Sequence, residues 1–158
     1  MSNGHHKFRR LVEDAVAAMI ARRAEGIEGL TFFKGISMDA LTTPRVEVYM
    51  AGVDPEVLGD DPNIGGHVTG NLFGELHVRI VASFADITRD AWAKYCAAVE
   101  DVLMTSDLVE QLNNGEVAGL SVFAWRPGPS AEDLNADEQV VTCDYTGRIY
   151  GCPSIPEG

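Results

Sequence analysis

Between Leu72 and Leu108 the chain switches from a repeat of two to a repeat of three and four, and this switch constrains the fold more than any other feature. From Leu72 to Ala82 the even positions are apolar or small: Leu72, Gly74, Leu76, Val78, Ile80 and Ala82. The odd positions read Phe73, Glu75, His77, Arg79 and Val81, so polar groups fill the middle of the other face. That alternation predicts a strand with one face on a core and the other facing water or a partner. After Ser83 and Asp86, the residues Trp92, Tyr95, Cys96, Val99, Val102 and Leu103 recur at helical spacing and build one apolar stripe. The unit speaks to architecture, and no catalytic or cofactor motif accompanies it.

The flanking segments extend the same pattern. A first helix is predicted from about His5 to Ala24, capped by Ser2 or Asn3, with the stripe Phe8, Leu11, Val12, Ala15, Val16, Met19 and Ile20. Arg22 and Arg23 in its last turn suit the negative end of the helix dipole, and Gly26 and Gly29 release the chain. A short strand is predicted over Leu30–Ile36. A second follows Pro44 over Arg45–Val53, where Val46, Val48 and Met50 alternate with Glu47, Tyr49 and Ala51. The stretch Asp54–Asn71, with six Gly or Pro and four acids, reads as a long loop. Ser106–Leu112 predicts a short helical turn closed by Asn113-Asn114-Gly115, and Gly119–Arg126 a strand. Pro127 to Glu138 reads as an acidic loop. Val140–Tyr150 reads as a last strand or a hairpin turning near Thr146-Gly147, and Pro153–Gly158 as a disordered tail or arm. The order of elements predicts an α+β fold: a mainly antiparallel sheet with two amphipathic helices packed on one face.

At 158 residues the chain fits a single domain, 1–158, long enough to bury a core without staples. No apolar stretch reaches the ~20 residues needed to cross a bilayer, and Glu13 and Asp14 interrupt any secretory h-region. The expectation is a soluble chain made in a cytoplasm. Net charge is −12, and it is uneven: residues 1–45 hold seven Lys or Arg against five acids, and residues 46–158 five against nineteen. Such a surface repels phosphate backbones and disfavours specific nucleic-acid binding. It is either a solubility charge or a partner for the mildly basic end of a neighbouring copy. Cys96, Cys143 and Cys152 lack paired spacing. Cys96 sits on a helix stripe as a small core residue, and a Cys143–Cys152 bridge would require a hairpin between them.

Candidate chemistry is sparse. Glu75, His77 and Arg79 share one strand face, with about 7 Å between successive members. They offer an acid, a base and a cation in a row. The same residues also fit a sheet face carrying cross-strand pairs, for example Glu47 opposite Arg79. Asp54, Glu56, Asp60 and Asp61 lack the spacing of a calcium loop. Gly65, Gly66 and Gly70 are not part of a phosphate loop and fit a turn with positive φ before the Leu72 strand. Most of the aromatics (Phe32, Phe33, Trp92, Tyr95, Phe123, Trp125) are expected in the core. Tyr49 and Phe73 fall on the opposite parity, beside charges, which points to contact with another subunit. No catalytic, cofactor or metal residues are predicted.

A long amphipathic helix followed by Thr43-Pro44-Arg45-Val46-Glu47-Val48, then Gly74-Glu75-Leu76-His77-Val78-Arg79-Ile80, the Ser83–Asp86 turn, and Asp90-Ala91-Trp92 through Val99-Glu100-Asp101-Val102-Leu103 resembles the small tail-terminator and tail-completion proteins of tailed bacteriophages. The resemblance covers roughly residues 5–126 and leaves the acidic segment from Glu132 without a counterpart. It implies a virion structural protein of the tail or neck, without an active site, assembled as a homo-oligomer such as a hexameric ring against tail-tube or connector proteins. On that reading Tyr49, Phe73, Glu75, His77 and Arg79, with the Asp54–Asn71 loop, are interface residues. The alternatives are a small α+β enzyme or ligand-binding domain using the His77 face, and a host adaptor with an acidic partner surface.

Overall fold

The computed structural model describes residues 5–25, 31–34, 43–58, 67–85, 87–115 and 119–153. Helix α1 spans His5–Arg23 and strand β1 Thr31–Lys34, followed by β2 (Arg45–Leu58) and β3 (His67–Ser83). Helices α2 (Arg89–Leu103) and α3 (Leu108–Asn113) precede the closing strands β4 (Leu120–Asn135) and β5 (Val140–Pro153). The five strands form one sheet in the order β1-β2-β3-β5-β4, with β1 parallel to β2 and every other pairing antiparallel. The fold is α+β with its helices on one side of a mainly antiparallel sheet, as the periodicities predict.

The parity of the Leu72 segment holds. Leu72, Gly74, Leu76, Val78, Ile80 and Ala82 turn inward, and Phe73 and Glu75 are exposed on the opposite face. Inward residues of β2, β3, β4 and β5 meet the stripe of α1 and the buried side of α2 in one core, which Leu108 and Leu112 of α3 complete. Thr88 caps α2, its hydroxyl accepting from the Ala91 amide at 3.1 Å, and satisfies a donor that a helix start otherwise leaves open. A buried carboxylate also crosses the core: Glu13 of α1 accepts the Met50 amide of β2 at 2.9 Å. This bond falls beside the register shift between Met50 and Gly52, where the strand ladder is interrupted. Burial pushes the Glu13 carboxyl up, and the Met50 hydrogen bond opposes the shift.

Strands run farther than their turn residues suggest. The predicted Asp54–Asn71 loop is strand at both ends: β2 continues to Leu58 and β3 starts at His67, pairing Val57 with Val68; residues 59–66 lie outside the described set. Pro55 is accommodated at a register shift between Pro55 and Val57, where the ladder is already broken. Gly70 has φ of 90° inside β3 and supplies the predicted left-handed residue; Gly65 and Gly66 are not among the described residues. The predicted loop from Pro127 to Glu138 is also mostly strand. β4 lies at the sheet edge, where prolines remove no ladder bond, and a shift between Pro127 and Ser130 absorbs Pro127-Gly128-Pro129. The hairpin turn falls at 136–139, with Gln139 at φ of 56°, and not near Thr146-Gly147. β5 therefore runs unbroken and carries both Cys143 and Cys152, one buried inward and the other on the outer face. That geometry excludes the bridge considered above, and all three cysteines are free. Ser2, Asn3 and residues 154–158 lie outside the described residues, as do the side chains of Phe32 and Phe33.

Candidate functional site

Among the described residues one face of the sheet carries no helix, and all five predicted interface residues lie on it. Tyr49 of β2 is opposite His77 of β3, which is opposite Thr146 of β5. Glu47 is opposite Arg79, which is opposite Asp144. The predicted Glu47–Arg79 register is thus present, although each side chain takes another partner. Arg79 Nε donates to Asp144 Oδ1 at 2.7 Å, and Arg45 Nε donates to Glu47 Oε1 at 2.9 Å. The Asp144 hydrogen bond raises the Arg79 guanidinium above its ordinary value and keeps it charged.

His77 is accounted for by its neighbours. Its ring stacks on Tyr49 with centroids 5.2 Å apart and planes 12° from parallel, and Nε2 meets Glu75 Oε1 at 2.9 Å. Farther along β3, Phe73 stacks on Tyr150 of β5 at 4.6 Å, and Phe123 of β4 tilts against the same ring at 5.4 Å. Tyr150 is fastened by its hydroxyl, which accepts from Asn71 Nδ2 at 3.1 Å. Hydrogen bonding to the Glu56 carboxylate raises the Tyr150 hydroxyl above its usual range. Phe73 remains 40% exposed and Phe123 51%, which leaves a ring surface open on a sheet face.

Phe123 corrects the expectation that it lies in the core. Leu120 and Val122 point inward, so alternation turns Phe123 out; the register shift between Val122 and Ala124 then resets the parity, which leaves Ala124 out as well and turns Trp125 in. Tyr150 and Asp144, absent from the predicted set, were detectable from the alternation of β5, whose inward residues Val141, Cys143, Tyr145, Gly147 and Ile149 leave Thr142, Asp144, Thr146, Arg148 and Tyr150 outside.

On the helix side, Cys96, Cys143 and Tyr145 cluster near Glu100. Tyr145 donates its hydroxyl to Glu100 Oε1 at 2.8 Å. Burial pushes the Cys96 thiol up to about 12, and burial also raises Cys143 and Tyr145. Thiols held protonated in this way lack the thiolate that nucleophilic chemistry needs. Trp92 Nε1 donates to Glu132 across the mouth of this cluster. Among the described residues no group of three His, Cys, Asp or Glu converges as a metal site, and no helix is long and apolar enough to cross a membrane.

No family model matches the chain, and no curated protein matches it. Among solved structures, it is similar to a chain from the virion of a native gene transfer agent particle, with a TM-score of 0.51 and 12% identity. The match covers 87% of this chain and 95% of that one. The likeness is one of fold.

Proposed function

We propose that the chain is a virion structural protein of the tail-terminator or neck type, assembling as a homo-oligomeric ring at a head–tail junction. The observation that carries this reading is the shared fold with nearly the full length of a chain from the virion of a gene transfer agent particle. The helix-free face supports it: stacked aromatics and, farther along β3, ion pairs share this surface, the mix of ring and charge that subunit contacts use. The acidic surface also suits a passage for DNA, because it does not trap a phosphate backbone. In this role Tyr49, Phe73, Glu75, His77 and Arg79 make subunit contacts, and tube or connector proteins are the further partners.

Substituting Phe73 with Glu tests the reading. The side chain is exposed, so the monomer keeps its circular dichroism and loses only the Tyr150 ring stack, about 0.5–1.5 kcal/mol, while assembly measured by light scattering weakens. A collapsed monomer would make Phe73 a core residue, and unchanged assembly would remove this face from the interface. His77→Ala separates the reading from an enzymatic one, since an assembly protein loses subunit contact there and no turnover.

A further inference from the structure

An open cleft of about 410 Å³ on the same sheet lies between Glu75, Arg126, Arg148 and the Pro127-Gly128-Pro129 bulge. Arg126 and Arg148 are directly opposite each other across β4 and β5, both exposed. Like charges in this register repel, and among the described residues neither arginine has an ion-pair partner; the one acid in the cleft, Glu75, is engaged by His77. Glu75 lies directly opposite Arg148 on β3 and offsets one of the two guanidinium groups, so the cleft keeps an excess of positive charge in a chain of net charge −12 and forms a site for carboxylates.

The same molecule carries the complementary surface at the opposite end of the β4–β5 hairpin. Asp133, Asp137 and Glu138 are exposed around the 136–139 turn, and Leu134 beside them is 69% exposed. These acids cannot fold back onto their own arginines. β5 is a continuous strand, and the eight steps from Val140 to Arg148 place the turn roughly 26 Å from the cleft.

We propose that the acidic β4–β5 turn of one copy docks into the Arg126–Arg148 cleft of the next, in a head-to-tail contact between copies of this chain. The contact deepens the assembly reading and rests on it. Its carboxylates meet the paired arginines beside the exposed aromatic patch, which begins at Tyr150, two residues beyond Arg148 on the same face. Because the two surfaces differ, the contact is heterologous, and repetition closes a ring or runs on as a filament.

Charge reversal tests the contact. Arg126→Glu/Arg148→Glu gives a chain with two acidic surfaces, and Asp133→Arg/Asp137→Arg/Glu138→Arg gives one with two basic surfaces. All five positions are exposed, so both variants fold, which circular dichroism checks. Alone, each variant needs a concentration at least ~10-fold higher than the native chain for half-assembly. Mixed in equal amounts, they alternate and recover the native mass by light scattering. Native assembly that survives either reversal, or a mixture that stays at the mass of the separate variants, overturns this contact and leaves the ring reading standing. A native chain that remains monomeric at every concentration overturns both.

Discussion

Replacing Gly147 with Ala probes the packing that seats the outer-face residues of β5. A Cβ at this position would overlap the indole of Trp125, lying 2.5 Å from Cζ2 and 2.6 Å from Cζ3, so the ring must move. Trp125 cannot move freely: its Nε1 donates to the Leu103 carbonyl at the end of α2, at 2.9 Å, and its ring packs against the core. Forcing a methyl into that contact costs about 1–3 kcal/mol. The lost hydrogen bond adds about 0.5–1.5 kcal/mol. Relief of glycine's backbone entropy returns about 0.5 kcal/mol, for a net destabilisation of about 1–4 kcal/mol. For a chain of this length, 1 kcal/mol lowers the melting temperature by about 2–4 °C, which puts the expected drop at about 2–16 °C. A double-mutant cycle with Trp125→Ala isolates the cause. With the indole gone, Gly147→Ala should cost less than about 0.5 kcal/mol in urea unfolding followed by circular dichroism. An equal cost in both backgrounds, or none in the native one, would refute the steric argument.

Two further outcomes follow from the core. Glu13 is raised above its ordinary value of 4.5 by burial, so it holds its proton more tightly folded than unfolded. Its favourable contribution is complete below that value and is lost as pH rises through the folded value, so Glu13→Gln should gain stability relative to the native chain between acid and neutral pH. Denaturant unfolding of both proteins along a pH series checks this, and parallel profiles would contradict it. Glu13→Ala, which strands the Met50 amide, should cost about 1–3 kcal/mol. At the surface, Thr88→Ala removes the α2 cap and should cost about 1 kcal/mol, with Thr88→Ser retaining most of it in the same unfolding assay.

Elements whose signal is local were legible in the sequence. The α1 and α2 stripes and the β3 parity depend on which face a side chain takes, and burial of one face fixes that. The same parity placed Tyr49 and Phe73 on the face away from the helices and Glu47 opposite Arg79. Prolines misled the reading, because their meaning depends on neighbours that a sequence does not display. Pro127 and Pro129 look like loop residues and sit in an edge strand, and Pro55 sits at a register shift. Shifts of register also hid part of the candidate site. Ala124 and Trp125 change face at one, and the opposition of Arg126 and Arg148 exists only after the Val122–Ala124 shift has set the pairing. Tyr150 was within reach of simple alternation, but its junction with Phe73, Phe123, Asn71 and Glu56 required three strands brought side by side.

Electron microscopy of the purified, assembled chain, at a resolution that distinguishes the two sides of the sheet, locates the surface through which copies meet. Closed rings are expected in which a neighbouring subunit covers the helix-free face of each copy, with Phe73, Tyr150 and the Arg126–Arg148 cleft inside the contact. Rings joined through α1 and α2 with that face open to solvent, or particles of only the 17.1 kDa monomer, would contradict the proposed assembly.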